Sequence, residues 1–284
     1  MPLDFTTQII EQVPEHLDFE VAYETTKVKD KKYVINSETD EYIGIVGEGF
    51  NCASHKDFFH GVQDTMLENL TGEETDGAQI EWKYARKNAW AMMDVRMPNV
   101  STTISTDKHE TTISQRIIAL HGIDGSCSNT VFFGAIDFFC LNGMIRGEHD
   151  KVRRKNTANF SMDRFISDLR DSQQDFYAQS ERLQSWAKRD LNTVDVKALL
   201  ENLMKSDTKA TKMFTLYNQE VATRGRNMFA LYSAFTNYAT YADERNGFNL
   251  RNTGNDTQAV SMFNRENQVS QWIASPVFRQ LEAA

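Results

Sequence analysis

Residues 111–148 read TTISQRIIALHGIDGSCSNTVFFGAIDFFCLNGMIRGE, and this stretch decides the fold class. Ile113, Ile117, Ile118 and Leu120 lead into a polar break, His121-Gly122-Ile123-Asp124-Gly125-Ser126. Val131, Phe132, Phe133, Ala135, Ile136, Phe138 and Phe139 form a second apolar run, closed by Cys140-Leu141-Asn142-Gly143. Two β-favouring runs around a Gly/Asp/Ser cluster predict a hairpin, because those residues tolerate a tight reversal. The second run is apolar at successive positions, so both of its faces are expected to be buried. The pair reads as the centre of a sheet, with Asn142-Gly143 as a further turn.

Toward the amino terminus, Phe19, Val21 and Tyr23 alternate as in a half-buried strand. Tyr33-Val34-Ile35 and Tyr42-Ile43-Gly44-Ile45-Val46 flank Ser37–Asp40, a hairpin with a polar turn. Ser54 with Asp57 three residues on marks a helix start, and Phe58, Phe59, Val62, Met66 and Leu70 follow at helical spacing. Ile80, Trp82 and Tyr84 alternate before Lys87-Asn88 and the run Trp90–Met97, a second hairpin stopped by Pro98. Residues 101–108 read as a loop or as the tip of a longer hairpin. Phe5–Val13, ended by Pro14, is a short amphipathic segment.

Beyond residue 160 the apolar period changes from two to between three and four. Met162, Phe165, Leu169, Phe176, Leu183 and Trp186 predict one long helix capped by Ser161, and Val194–Leu203 a second. Met213–Asp243 predicts a third with an aromatic stripe, read as core because a stripe at helical spacing packs inward. Residues 246–257 form a polar loop, and the last segment is helical with a break at Pro276. The expected fold is α+β: an antiparallel curved β-sheet built from hairpins with one packed helix, followed by a helical C-terminal region. The expected division is a β-rich core over 1–160 and a helical extension over 161–284.

A chain of 284 residues, 40% hydrophobic, can bury a sizeable core. No run approaches the 18 or so apolar residues of a membrane helix, and the acidic start Met1–Asp18 is no secretory signal. Cys52, Cys127 and Cys140 are odd in number and far apart, which fits a reducing cytoplasm. The net charge of −9 is uneven: residues 1–80 hold 5 Lys/Arg against 17 Asp/Glu, the remainder 26 against 23.

There is no GxxxxGK, GxGxxG, CxxC or HExxH, so no cofactor or metal is expected. His55 and His60 read as a solvated pair. His121, Asp124 and Cys127 invite a nucleophile reading, but Asp-Gly-Ser is also what a tight turn requires, and the turn is preferred. Cys140 reads as a small buried hydrophobe. Lys151, Arg153, Arg154 and Lys155 form the basic run chosen as a backbone-binding lip at a sheet edge, with Asn156, Thr157 and Asn159 as neutral donors. The plain alternative is a solvated loop. Arg164, Arg224 and Arg226 extend the lip if the long helices fold back on it. Trp82, Tyr84 and Trp90, taken as surface aromatics, are the candidates for base stacking.

Three blocks resemble one family: YVINSETDEYIGIVGEGFNCASHKDFFHGVQDTMLENL (33–70), ALHGIDGSCSNTVFFGAIDFFCLNG (119–143) and NMFALYSAFTNYATYAD (227–243). This is the domain-of-unknown-function family numbered 932, found largely on phages, prophages and plasmids. Ile123 is an insertion relative to its His-Asp-Gly-Ser pattern, and Asn156-Thr157 stands where the family has His-Thr. The order of elements is also similar to that of ATP-independent single-strand annealing proteins. From these resemblances and the basic run, the expectation is a phage-type, non-catalytic nucleic-acid-binding protein. It would bind single-stranded DNA in recombination or replication, as a homo-oligomer in the host cytoplasm. The alternative is an acidic protein-interaction or counter-defence module that binds a host protein.

Overall fold

The computed structural model describes residues 13–68, 70–137, 143–145, 151–157, 161–172, 176–242 and 255–283. Among them, strands make two antiparallel sheets. The smaller has the order β1 (Val21–Thr25), β2 (Lys31–Asn36), β3 (Tyr42–Gly47). Asn36 closes its second turn by accepting the N–H groups of Glu38 and Thr39, a side-chain mimic of a backbone turn. Val34, Val46 and Phe50 form the buried side of this sheet.

The larger sheet contains β4 (Gln79–Ala85), β5 (Trp90–Ser105), β6 (Glu110–Gly122), β7 (Asn129–Asp137), β8 (Gly143–Ile145) and β9 (Lys151–Arg154). Its order is β4-β5-β6-β7, after which β8 and β9 share the free side of β7. β9 pairs with Asn129–Phe132 and β8 with Gly134–Ile136. The predicted hairpin is the β6–β7 pair, and Val131, Phe132 and Phe133 are buried on both faces.

One expectation changes here. β5 does not stop at Pro98; it runs on to Ser105 and absorbs the proline in a register shift between Met97 and Ser101. A bulge removes the ladder bond that proline cannot make. Residues 101–105 are strand, and 106–109 form the tip of that long hairpin. The basic run lies at a sheet edge, as expected, and is itself a strand and not the alternative loop: Lys151–Arg154 is in register with β7.

Alternation assigns the two faces. Ala91, Met93, Val95, Ile117, Ala119 and Phe133 join the main core, under α1 (His55–Leu67), whose N-cap Ser54 accepts the Asp57 N–H as expected. Trp90, Met92, Ile118, Leu120 and Phe132 form a second cluster on the other face. A short α2 (Gly72–Thr75) follows α1.

The carboxy-terminal half holds α3 (Met162–Ser172), α4 (Phe176–Lys188), α5 (Val196–Met204), α6 (Asp207–Arg224), α7 (Met228–Tyr241), α8 (Asn255–Ala274) and α9 (Pro276–Ala283). The helix expected over 213–243 is two helices. Gly225 adopts φ +84°, which ends α6, and Asn227 caps α7 by accepting the Ala230 N–H at 2.8 Å. The other end of the Asn227 amide donates to Arg224 O at 2.8 Å, so one side chain serves both helix ends. Asn227→Ala is expected to lower stability by about 1 kcal/mol, the usual cost of a lost cap, read as a lower urea midpoint with unchanged slope.

α7 is buried nearly all round, and its aromatic stripe is core: Phe229, Tyr232 and Phe235 are fully enclosed, with the Trp186 ring 5.1 Å from Tyr232. α8 crosses the second sheet face, where Phe263 meets Phe132 at 5.4 Å. The main cluster runs from strand residues into α7, so the change of secondary structure near residue 160 is bridged by continuous core. No described helix is long and apolar enough to cross a membrane. Residues 5–12, Cys140, Asn142, Asn159 and most of the 246–257 loop lie outside the described residues.

Candidate functional site

The turn at the centre of the sequence builds the site. Asp124 Oδ1 accepts the Ser126 N–H at 2.8 Å, and Gly125 takes φ +75°, so Asp-Gly-Ser forms the tight reversal between β6 and β7. Gly122 is needed at the turn's start because a Cβ there would overlap the Cys127 Sγ. Ile123 is fully buried against Phe19 and Ala89, and its N–H donates to Ala89 O at 2.9 Å.

Beside this turn runs the end of β9. Asn156 joins them: its Nδ2 donates to Gly122 O at 2.7 Å, and its Oδ1 accepts from Asn129 Nδ2 at 2.6 Å. Asn156 is therefore a strut, not the free phosphate donor expected of it. Between turn and strut lies a cleft of about 280 Å³ lined by Phe50, Gly125, Ser126, Cys127, Ser128, Arg153, Lys155, Asn156 and Thr157. This lies just below the usual ligand-cleft range, about 300–1,000 Å³, and leaves room for a small group but not for a large cofactor. Arg153 and Lys155 are exposed. Neither pairs with a described carboxylate, whereas Ser126, Ser128 and Thr157 supply hydroxyls.

The other cations of the run and its proposed extensions divide differently. Arg154 is bound to Asp168 of α3 at 2.6 Å. The Lys151 side chain is outside the described set. Arg164 is exposed on α3. Arg224 is buried, held by Asp137 at 2.6 Å and Glu220 at 3.0 Å, and ties α6 to β7. Arg226 donates to the carbonyls of Leu191 and Val194. Arg224 is thus an internal fastening, and Arg226, though exposed, is engaged with the α4–α5 connection; neither extends the lip.

The aromatics are not gathered at the cleft. Trp90, expected at the surface, is 2% exposed, because its parity in β5 turns it into the second-face cluster. Trp82 is half-buried with its ring 4.9 Å from Phe59; Tyr84 is 48% exposed. Both belong to β4, at the edge opposite β9. Four strand spacings of about 4.8 Å place them on the order of 19 Å away.

The nucleophile reading has no geometry behind it. His121 Nδ1 lies 2.8 Å from His55 Nδ1, both rings buried beneath the turn. His55, expected to be solvated, is enclosed because it opens α1 against the sheet, while His60 is partly buried one turn on. Burial pushes the Cys127 thiol up to about 12, with the Asp124 carboxylate adding to the shift, so no thiolate forms near neutrality. Among the described residues no three His, Cys, Asp or Glu side chains converge to hold a metal ion.

One set of cations escaped the sequence reading. Lys27, Lys29, Lys31 and Lys32 are four of the five basic residues before position 80, concentrated at the β1–β2 turn. The −12 balance of the first 80 residues masked them; a six-residue window would have found them.

Residues 42–268 match the family model described as Domain of unknown function (DUF932). No curated protein and no solved structure matches.

Proposed function

The chain belongs to the DUF932 family, and from that premise we propose that it is a non-catalytic nucleic-acid-binding protein whose phosphate seat is the cleft between the β6–β7 turn and β9. The observation that carries this reading is the convergence of two exposed cations without carboxylate partners, Arg153 and Lys155, with three hydroxyl side chains on one small cleft. Cations and neutral donors on a concave surface hold phosphate oxygens without reading base identity. The chain then acts on single-stranded DNA in recombination or replication, without ATP, as a homo-oligomer in a reducing cytoplasm. The free thiols of Cys52 and Cys127 agree with that compartment. The phage or plasmid setting is part of the same proposal and rests on the family resemblance.

Binding should be salt-sensitive with a short footprint, because Arg154 is already paired and Arg224 is internal. Each phosphate held on a single strand contributes about 0.7 to the slope of log affinity against log salt. Arg153→Ala/Lys155→Ala is therefore expected to reduce that slope by about 1.4 and to weaken binding at low salt. Fluorescence anisotropy with labelled single strands measures both. Salt-insensitive binding, or no change in the double variant, overturns the reading.

A second reading rests on the outer face of the small sheet, where Tyr42 and Ile45 are 57% and 53% exposed. Tyr33 packs edge-on to Tyr42 at 4.9 Å, and Glu24 accepts the Tyr42 hydroxyl at 3.1 Å. An aromatic patch rimmed by carboxylates suits a basic protein partner better than a nucleic acid. Under this reading the same anisotropy assay shows no binding at any salt concentration.

A further inference from the structure

The small sheet and the cleft meet at one end. Lys31 and Lys32 pair with Gly47 and Val46 across β2 and β3. Gly47 O accepts the Phe50 N–H at 3.0 Å, and Phe50 forms a wall of the cleft. A Cβ built on Gly125, at the cleft's rim, would lie 3.4 Å from Val46 Cγ1. The end of the small sheet that bears the lysines is therefore the end beside the cleft, and the β2–β3 turn, Ser37–Asp40, lies at the other end of the strands.

The hairpin is built to display its charges. Thr26 Oγ1 accepts the Val28 N–H at 2.7 Å and fixes the start of the turn, and Asp30 takes φ 58° and its carbonyl accepts the Glu48 N–H. Lys27, Lys29 and Lys31 are exposed, and none pairs with a described carboxylate. Lys32, on the inner side, lies 3.8 Å over the Tyr23 ring and braces the hairpin. Residues 26–32 carry four Lys against one Asp in an amino-terminal region that is otherwise strongly acidic. A positive element bounded by carboxylates confines a polyanion to one path.

We propose that the β1–β2 hairpin is a second contact for the same polyanion: a single nucleic-acid strand seated by Arg153 and Lys155 continues past Phe50 onto Lys31, Lys29 and Lys27. This rests on the cleft reading and extends it from one phosphate seat to a path several nucleotides long. The exposed Val28 at the tip, 56% accessible, gives a sugar or base an apolar surface. The partner favoured is a nucleic acid over an anionic membrane, because the hairpin runs into a hydroxyl-lined cleft and offers one apolar side chain at its tip.

The test uses the full chain, labelled oligo-dT of about 4 and about 16 nucleotides, the range of single-strand site sizes, and phosphatidylserine vesicles. The variant is Lys27→Gln/Lys29→Gln/Lys31→Gln, which leaves buried groups untouched and is checked by its melting curve. With the long probe it is expected to reduce the salt slope by about 2, at about 0.7 per lost phosphate contact. With the short probe it should match the parent protein, whereas Arg153→Ala/Lys155→Ala weakens both probes. If the lysine variant binds the long probe as the parent does while the cleft variant does not, the hairpin path is overturned and the cleft stands. If the parent binds neither probe, both readings fall together. A loss seen on vesicles but not on oligo-dT overturns the path in favour of a lipid surface.

Discussion

Arg116→Met is expected to cost the fold about 3–5 kcal/mol, the penalty for leaving a buried charge without its partner. Arg116 lies in the middle of β6 and is 3% exposed. Its Nε and Nη2 donate to the two oxygens of Asp94 on β5 at 2.8 and 2.6 Å, and its Nη1 donates to Glu266 of α8 at 2.8 Å. Asp94 is wholly enclosed and Glu266 is 1% exposed. Burial alone would raise the Asp94 carboxyl; the Arg116 charge and hydrogen bonds, aided by Lys83 and Arg96, outweigh it and hold the group below its ordinary value. Removing the guanidinium strands two carboxylates in low dielectric, where neither can remain ionised cheaply.

The same physics predicts recovery. Asp94→Leu/Arg116→Met/Glu266→Met removes all three charges at similar volume, and such replacements of buried ion groups are commonly neutral or stabilising. Urea unfolding with near-ultraviolet circular dichroism distinguishes the variants. A single variant within about 1 kcal/mol of the parent would show that water reaches these carboxylates. Because Glu266 is the α8 member of the cluster, the single variant should also release α8 from the second sheet face before the main core opens.

What the sequence made legible follows the range of the interactions. The β6–β7 hairpin, the β2–β3 hairpin and the Ser54 cap each depend on residues close in the chain, and all are present. Gly225 and Asn227 break and cap the helices locally, but the aromatic period running through 213–243 hides that break. The edge strand β9 was hidden because only Val152 in it is apolar, as edge strands tend to be charged. Arg116–Glu266 and Arg224–Asp137 join residues 150 and 87 positions apart, and nothing local marks such pairs. Of the candidate site, Arg153 and Lys155 are legible as charge and Thr157 as a neutral donor, while the Ser126 and Ser128 hydroxyls facing them require the pairing of β9 with β7.

Acidification from pH 6.5 to 4 is expected to remove about 3 kcal/mol of stability through His55 alone, with His121 adding to it. The hydrogen bonds fix the proton positions. Asn88 O can only accept, so His55 Nε2 carries the proton toward it at 2.7 Å, and His55 Nδ1 is bare. His121 Nδ1–H therefore donates to His55 Nδ1 at 2.8 Å, and His121 Nε2, buried without a partner, is bare as well. A proton added to His55 would set two N–H groups facing each other; one added to His121 Nε2 would have no acceptor. Desolvation accordingly lowers His55 from 6.5 to about 4, against the pull of Asn88 O and Asp124, and lowers His121 well below its ordinary value with His55 adding to the shift. The unfolded chain takes up protons near 6.5 that the folded pair refuses until about 4. Stability is thus complete above pH 6.5 and is lost as pH falls through that window. His55→Gln/His121→Asn keeps donors at the two hydrogen-bonding positions without a titrating ring, so its unfolding free energy should decline less over the same interval. Equal declines in parent and variant, measured by urea titration at successive pH values, would refute the account. The consequence reaches the cleft, because His121 directly precedes Gly122, whose carbonyl holds the Asn156 strut. Charging the pair should loosen the turn that positions Ser126 opposite Arg153, so binding of single strands should fail at a higher pH than global unfolding.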